Sequence, residues 1–328
     1  MRHPAWSDWQ AISTAWTPSP AVLSETLDGG QAFRWSPSEQ LVGEVPSPCS
    51  IWTGIWSDYI AQLRLSGDRL EWRAPAALHP RVAAALPIYL GLDRDWPALA
   101  DSLPWRSDAH LAHCLAAYPG LRILRQPFGE TLLGFLCSAT KQIVQIKQML
   151  ALLAERHGTA ICRAGSPNPA AAASGDAALH LHRLPTWAAL ATLSEAELRL
   201  CQLGFRARFI HDTAQFLAAR PGWLDETEQL TYTAAKSRLL ELPGVGEKIA
   251  DCVLLFGAGK LEAFPVDTWV LKSLARRYGL DGWKPASVAQ FGRAHFGPLA
   301  GYAQQFLFAW EREHGGRLAA FSVQVRRK

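Results

Sequence analysis

The sequence predicts an α+β protein in which an antiparallel sheet domain is followed by a larger, all-helical region. Two observations support this fold class. Between residues 50 and 75, apolar and polar residues alternate, as in half-buried strands. From about residue 108 onward, apolar residues instead recur at spacings of three and four, as on helices. We therefore expect a sheet domain over residues 1–107 and a helical domain over residues 108–328.

The composition is that of an ordinary soluble protein, with 49% hydrophobic and 19% charged residues. A net charge of +4 is compatible with an anionic partner but does not require one. The chain contains no apolar run long enough to cross a membrane, and its first residues lack the apolar core of a signal peptide. We expect a monomer that is not secreted and acts in the cytoplasm, at the bacterial nucleoid, or in the nucleus if it is eukaryotic.

The six cysteines lie far apart, and no two of them form a CxxC pair. This spacing favours reduced thiols over disulfides or a zinc site, and it excludes a sequence-local four-cysteine iron–sulfur loop. We expect no cofactor, although the glycine-rich turn described below is compatible with a structural monovalent or divalent cation.

Local patterns predict the elements of the sheet domain. "YIAQLRL" and "RLEWRA", joined by "SGD", predict a β-hairpin. In "LDGGQAFRW" the paired Gly29 and Gly30 predict a sharp bend. Most of the fourteen tryptophans lie before residue 110 and are typical of core and edge packing.

The helical region begins with "TLLGFLCSATKQIVQIKQMLALLAERHG", which predicts a helical segment that ends at Gly158. The small residues between 164 and 180 predict a surface loop. Ser194 and Glu197 form a capping box for a later helix. Further amphipathic segments follow, up to "GPLAGYAQQFLFAWERE".

Residues 231–256 predict a helix, a tight turn and a second helix. Pro243 ends the first helix, and Gly244 and Gly246 let the main chain take positive φ and approach a ligand closely. Main-chain N–H groups at the start of the second helix would form an anion site that suits a DNA phosphate. An ordinary corner between two helices also uses glycines, so both interpretations stay open.

Lys248 lies in the first turns of that second helix, and Asp267 follows at the start of the next predicted helix, in "AFPVDTWV". The simplest interpretations are a solvated lysine and a helix cap. The short connection between the two helices would, however, bring the side chains together. A partly desolvated lysine can lose its proton near neutral pH and attack a carbon, while a carboxylate stabilises positive charge on a sugar. The pair suits displacement at a glycosidic carbon through a Schiff base.

"LPGVGEKIADC" followed by "AFPVDTWV" resembles the helix–hairpin–helix, Gly/Pro…Asp signature of DNA base-excision glycosylases. More narrowly, the chain resembles the 8-oxoguanine DNA glycosylases, because "LDGGQAFRW", "LRILRQPFGETLLGFLCS" and "GPLAGYAQQFLF" match that family in the same order. The resemblance spans roughly residues 20–310. It implies a TATA-box-protein-like β domain before a helical glycosylase domain, and duplex DNA containing oxidised guanine as the partner. It also implies base release with strand nicking by β-elimination.

The resemblance implies that Lys248 is the nucleophile and Asp267 the essential carboxylate, acting on a nucleotide flipped out of the duplex. Main-chain groups of Gly244, Val245 and Gly246 would bind the DNA backbone.

The resemblance also implies a base pocket. A helical turn between Gly30 and Phe33 would present the carbonyl of Gly30 to the N7–H that 8-oxoguanine has and guanine lacks. Gln304 would bind the Watson–Crick edge, and Phe308 and Cys252 would stack on the two faces of the base. Taken singly, the same residues could be a bend glycine, a core aromatic and a small buried thiol.

"GFRARF" matches the family segment that fills the gap left by the flipped base. The resemblance implies that Phe205 is the wedge and that Arg206 contacts the orphaned cytosine. The simpler interpretation of Arg206 is an exposed charge on a helix.

The chain departs from the family pattern at several positions. The family reads the orphaned cytosine with an asparagine and an arginine, which are replaced here by Thr140 and Gln145. Trp269 replaces a phosphate-contacting histidine, and Lys141 and Lys147 are either substitute phosphate contacts or surface lysines. We therefore expect a weakened preference for cytosine.

Three alternatives remain. Related glycosylases for oxidised pyrimidines typically carry a C-terminal four-cysteine cluster, whereas no cysteine follows Cys252. Glycosylases for alkylated bases lack the lysine. A non-catalytic helix–hairpin–helix module would explain the glycines but not Lys248 and Asp267 together.

Overall fold

The computed structural model describes residues 5–38, 41–42, 45–46, 51–161 and 181–314, and it confirms the predicted α+β fold. The loop predicted at residues 164–180 lies outside the described residues. The strands are β1 (Gln10–Ala11), β2 (Trp35–Ser38), β3 (Leu41–Val42), β4 (Val45–Pro46), β5 (Ile51–Trp56), β6 (Tyr59–Ser66), β7 (Arg69–Arg73), β8 (Thr159–Ala160) and β9 (His182–Arg183). The first eight helices are α1 (Pro20–Asp28), α2 (His79–Tyr89), α3 (Trp96–Ser102), α4 (Ala109–Ala117), α5 (Phe128–Leu136), α6 (Ile143–His157), α7 (Trp187–Ala191) and α8 (Glu195–Arg199). The remaining helices are α9 (Arg206–Ala218), α10 (Trp223–Gln229), α11 (Tyr232–Leu239), α12 (Glu247–Phe256), α13 (Thr268–Tyr278), α14 (Pro285–Phe296) and α15 (Ala300–His314), with a 3-10 turn at Gly297–Leu299 before α15.

Five antiparallel strands form the main sheet, in the order β1-β7-β6-β5-β2. The predicted hairpin is confirmed as β6 and β7, with Ser66 paired to Arg69 at its turn. Trp35 of β2 lies directly opposite Gly54 of β5, and a Cβ on that glycine would come within 2.4 Å of the indole ring. The buried tryptophan therefore requires a glycine on the neighbouring strand.

The first hundred residues are less purely sheet than the alternation predicted, because α1, α2 and α3 interrupt it. Helix α1 begins with two recognisable signals: the Ser19 hydroxyl accepts a hydrogen bond from Val22 N, and Pro20 occupies the first helical position. Its position matters for the site, since it ends just before Gly30.

Two hydrophobic cores hold the fold together. The smaller one lies between the sheet, α1 and α2, and its tryptophans are buried as predicted: Trp16, Trp35, Trp52, Trp56 and Trp72. The larger core fills the helical region and also takes in Trp96 and Leu103. These two residues precede the expected boundary at residue 107, which stays a prediction.

The helical segment predicted before Gly158 is interrupted. Helix α5 ends at Leu136, and α6 begins only at Ile143. Between them Thr140 takes a φ of 56°, a left-handed conformation that a β-branched residue rarely adopts and that a helix cannot contain. The predicted end at Gly158 is confirmed. The break creates a short turn over residues 138–140 beside the start of α12, and Thr140 in this turn is exposed.

Later predictions of local structure are confirmed. Ser194 and Glu197 form the capping box at the start of α8. Helices α11 and α12 flank the glycine-rich turn, and Asp267 caps α13. The four cysteines in the described part of the chain are free and buried, whereas Cys49 and Cys162 lie outside it. No described helix is long and apolar enough to cross a membrane.

Candidate active site

The turn between α11 and α12 packs against α9 on one side and leaves its main chain accessible on the other. Gly244 has a φ of 78°, and a Cβ there would lie 2.6 Å from Cβ of Phe209 in α9. The Thr213 hydroxyl, also in α9, donates to the carbonyl of Pro243 at 3.0 Å. At Gly246 an added Cβ would meet no atom within 4 Å. The α9 side is therefore packed, while the main chain at Gly246 is open to a large ligand.

Lys248 is half-buried and is the second residue of α12. Its Nζ donates to the hydroxyl of Ser138 at 3.1 Å and lies 5.2 Å from the ring centre of Phe135. The Ser138 hydroxyl donates its own proton to the carbonyl of Phe135 at 2.7 Å, so a lone pair faces the lysine. The interpretation of Lys248 as a freely solvated side chain is therefore wrong.

Asp267 is half-buried and caps α13, accepting hydrogen bonds from the N–H groups of Trp269 at 3.0 Å and Val270 at 2.8 Å. Burial raises the pKa of its carboxyl group, while these hydrogen bonds and the charge of Lys248 act in the opposite direction. Asp267 is thus both a helix cap and an electrostatic neighbour of Lys248. The helix cap is observed, and the catalytic role of the carboxylate stays a prediction.

Cys252 lies one helical turn beyond Lys248, on the same face of α12, and is buried. Burial raises the pKa of its thiol to about 12, and the positive charge of Lys248 only partly offsets this. The thiol is therefore neutral at physiological pH and a poor nucleophile.

Gly30 and Phe308 approach each other across the two regions of the chain. Gly30 has a φ of 105°, and a Cβ there would lie 3.7 Å from the ring of Phe308 and 3.3 Å from Ile143. Phe308 is half-buried, while Gln304 is fully buried one turn earlier and accepts a hydrogen bond from Gln305. The helical turn expected between Gly30 and Phe33 is wrong: α1 ends at Asp28, and the segment is a series of bends.

Comparison with known proteins gives two contiguous family matches. Residues 15–132 match the 8-oxoguanine DNA glycosylase N-terminal domain, and residues 133–294 match the HhH-GPD superfamily of base excision DNA repair proteins. A probable N-glycosylase/DNA lyase from Methanothermobacter thermautotrophicus is 30% identical over 230 residues, which cover 66% of this chain and 72% of that protein. The chain belongs to the 8-oxoguanine DNA glycosylase family.

Two further relatives extend over more of the chain. The N-glycosylase/DNA lyase OGG1 of Arabidopsis thaliana is 28% identical over 306 residues, covering 88% of this chain and 77% of that protein. The 8-oxoguanine glycosylase/lyase of Clostridium acetobutylicum, solved with double-stranded DNA containing cytosine opposite 8-oxoG, is 28% identical. It superposes with a TM-score of 0.76 and covers 89% of this chain and 92% of that one. The family fold therefore extends across both regions of this chain.

Within this family fold, Phe205 and Arg206 at the start of α9 have opposite environments. Phe205 is 53% exposed, whereas Arg206 is only 3% exposed. The Arg206 guanidinium donates to the carbonyls of Leu203 and Ala139 and, at 3.0 Å, to the hydroxyl of Thr140. The interpretation of Arg206 as an exposed charge is wrong; the side chain anchors the turn at residues 138–140.

Thr140 and Gln145, which stand where the family has its cytosine-reading pair, both form hydrogen bonds within the protein. The Thr140 hydroxyl accepts from Arg206, and Gln145 is the third residue of α6, where its side chain accepts from Gln142 N at 3.2 Å. Gln145 therefore completes a capping box. In both contacts the side-chain oxygen is the acceptor, so Thr140 and Gln145 help to stabilise the segment between α5 and α6.

The remaining charged and aromatic candidates lie around the same face. Trp269 is 37% exposed beside Asp267, with the ammonium of Lys272 5.4 Å from its ring centre. Lys141 is exposed in the turn before α6, while Lys147 forms a 2.7 Å ion pair with Asp28. Lys147 is thus engaged within the protein, and Lys141 stays available to an anionic partner.

Ser138 and Phe209 are residues that the sequence analysis did not identify. Ser138 ends the family-like stretch "LRILRQPFGETLLGFLCS", but nothing in that stretch indicated its contact with Lys248. An adjoining cleft of about 650 Å³ was also not predicted; Phe33, Ile143, Lys147 and Arg312 are among its lining residues. Lys248 does not line this cleft.

Within the described ranges, no group of three or more His, Cys, Asp or Glu side chains is arranged to bind a metal ion. A cation at the glycine-rich turn would instead use main-chain carbonyl ligands. That expectation stays a prediction.

Proposed function

We propose that this protein is a DNA N-glycosylase and abasic-site lyase that removes 8-oxoguanine from duplex DNA. The observation that carries the proposal is the placement of Lys248. Its Nζ is held by Ser138 and lies within electrostatic reach of the half-buried Asp267, and Lys248 follows the last glycine of the turn by two residues. Membership in the 8-oxoguanine DNA glycosylase family and the names of the relatives support both activities.

In the proposed reaction, the unprotonated amine of Lys248 attacks C1′ of a flipped nucleotide. The bond from C1′ to N9 breaks and the base leaves with the electron pair. The Asp267 carboxylate stabilises the positive charge that develops on the sugar. Opening of the sugar ring gives a Schiff base on Lys248, and loss of a proton from C2′ then expels the 3′ phosphate by β-elimination.

The proposed DNA contacts use the open side of the hairpin. Main-chain N–H groups of Gly244 and Gly246 bind a phosphate at the N-terminus of α12, where the helix dipole favours an anion. The N–H of Val245, in contrast, already donates to the carbonyl of Leu242 at 3.1 Å. The lack of any atom near the Cβ position of Gly246 supports this close approach. Phe205 enters the gap in the base stack, which its exposure allows.

The proposed base pocket lies between Gly30, Phe308 and Cys252, with Gln304 at its inner edge. The Gly30 carbonyl accepts the N7–H that distinguishes 8-oxoguanine from guanine. The 3.7 Å approach of the Gly30 Cβ position to the Phe308 ring supports a common pocket built from both regions of the chain. A neutral Cys252 thiol is suited to packing against the face of the base.

The test is a panel of duplexes, each containing 8-oxoguanine, an alkylated purine or an oxidised pyrimidine, scored for base release with and without alkali. We expect release of 8-oxoguanine at least about 100-fold faster than release of the other bases, because the pocket carries a hydrogen-bond acceptor for N7–H. Strand breaks without alkali would report the lyase. Faster release of an alkylated purine or an oxidised pyrimidine would contradict the proposal.

The base opposite the lesion provides a second prediction. Gln145 is engaged in a helix cap and Thr140 in a bond to Arg206, so we expect excision rates opposite the four bases to differ by less than about tenfold, roughly the effect of one hydrogen bond. The measurement is single-turnover base release from four matched duplexes. A strong preference for cytosine would contradict it.

A substitution at Thr140 sharpens this test. Thr140→Asn supplies an amide donor and suits the left-handed φ of 56°, so we expect it to increase the cytosine preference by about tenfold. Thr140→Gly is the matched control, since glycine relieves the same backbone conformation without adding a donor. Equal changes in both variants would show that the backbone, and not the amide, is responsible.

A further inference from the structure

Gln31, the residue after Gly30, is a polar side chain buried where the sheet domain meets the helical region, with 1% of its surface exposed. Its Nε2 donates to the carbonyl of Arg122 at 2.7 Å, and its Oε1 accepts from the N–H of Leu124 at 3.0 Å. The amide thus satisfies both main-chain groups in the way a neighbouring strand would. A third bond runs from Nε2 of Gln126 to the carbonyl of Gln31 at 2.7 Å.

The segment that holds Gln31 is itself firmly anchored. The N–H of Gln126 donates to the carbonyl of Phe256, the last residue of α12, at 2.9 Å. The N–H of Arg125 donates to the carbonyl of Tyr89 in α2, also at 2.9 Å. A continuous set of hydrogen bonds therefore runs from Gln31 to the helix that carries Lys248.

Gly30 cannot fix its own orientation. It has no side chain, and at a φ of 105° it occupies a region that is open to glycine alone, where many main-chain orientations are accessible. Its carbonyl oxygen belongs to the peptide unit shared with Gln31. The side chain and the carbonyl of Gln31 are held by three hydrogen bonds, so the position of Gln31 is fixed, and this restricts the preceding peptide unit and the direction of its oxygen.

We propose that Gln31 is the positioning residue for recognition of the damaged base: it holds the carbonyl of Gly30 in place relative to Lys248. The proposal rests on the function proposed above. In this proposal Gln31 affects recognition of the base but not the chemistry on the sugar. The two can be measured separately, because an abasic site has no base for Gly30 to contact. Loss of the Gln31 hydrogen bonds should therefore slow the release of 8-oxoguanine more than it slows the reaction of Lys248 with an abasic site.

The test compares two rates in the full-length protein: 8-oxoguanine release, and borohydride trapping on a duplex with an abasic site. In Gln31→Met, which keeps the length of the side chain but can neither donate nor accept such bonds, we expect the ratio of the two rates to fall at least about tenfold. The matched control is Gln62→Met, since Gln62 is also buried in the sheet domain and bonds to Thr53 and Arg73. Its ratio should equal that of the wild type.

Gln31→Glu adds a second measurement, the pH dependence of the ratio of the two rates, which should not change if Gln31 has only a structural role. A protonated carboxyl can donate to Arg122 O and accept from Leu124 N, whereas an ionised one faces the Arg122 carbonyl unfavourably. The guanidinium of Arg122, the residue whose carbonyl accepts from Gln31, stacks on the Trp16 ring at 4.3 Å. Relative to the wild type at each pH, we expect the ratio of rates to be close to normal at low pH and to fall as pH rises.

The outcomes are distinct. Parallel losses of both rates in Gln31→Met, an unchanged ratio, or a pH-independent ratio in Gln31→Glu would each overturn the role of Gln31. A wild-type protein that traps on abasic DNA but releases no 8-oxoguanine would instead overturn the proposed function, and the role of Gln31 with it.

Discussion

Lys248→Gln is expected to abolish the covalent complex that borohydride traps on 8-oxoguanine duplex. The reason is chemical: a Schiff base forms only on an amine, and the glutamine amide cannot replace it. Gel-resolved trapping should fall by roughly 1000-fold or more. The substitution keeps a polar group of similar length, so the hydrogen bond to Ser138 can persist and the fold should be retained.

The matched control is Lys260→Gln, since Lys260 lies in the connection between α12 and α13 and is half-buried like Lys248. We expect its trapping to equal that of the wild type. Trapping that survives in Lys248→Gln would mean that another amine attacks the sugar, and the assignment of the nucleophile would fail.

Asp267→Asn is expected to reduce base release by about 100- to 1000-fold, because the developing positive charge on the sugar loses its carboxylate. Folding should be retained, since asparagine caps a helix about as well as aspartate. Burial raises the pKa of Asp267 in the folded state, so the ionised form costs folding free energy at every pH above the unfolded value. The neutral asparagine removes that cost, and the thermal midpoint at pH 7 should stay level or rise.

Asp95→Asn serves as the control, because Asp95 caps α3 through a 3.0 Å bond to Ala98 N and lies outside the described site. Its activity should not change. If Asp267→Asn unfolds instead, the residue serves as a helix cap above all, and its catalytic role loses support.

The sequence predicted the fold class and the proximity of Lys248 to Asp267 because both depend on local patterns: hydrophobic period, a glycine-rich turn and a short connection. It did not predict the contact between Lys248 and Ser138, which are 110 positions apart. That contact depends on the break between α5 and α6, and the break depends on Thr140 taking a left-handed conformation. A threonine gives no sequence signal for that conformation.

The environment of Arg206 was equally hidden. "GFRARF" shows a cation at the start of a helix, and only the packed structure shows that this cation is enclosed by main-chain carbonyls. The same is true of Gln31, because a buried glutamine is recognisable only when its two distant partners are known. Tertiary contacts of this kind carry no periodic signal along the chain.

Helix α9 supports two separate features of the proposed DNA-binding surface. Phe205, Phe209 and Thr213 follow one another at single-turn intervals: the first projects into solvent, the second packs under Gly244, and the third binds the carbonyl of Pro243. Helix α9 thus positions both the proposed wedge, Phe205, and the turn between α11 and α12, so the distance between them is fixed within the protein. Under the proposed function, a duplex that contacts both Phe205 and the glycine-rich turn must deform to match this fixed distance. The deformability of the DNA around a lesion would therefore influence how readily the lesion is found.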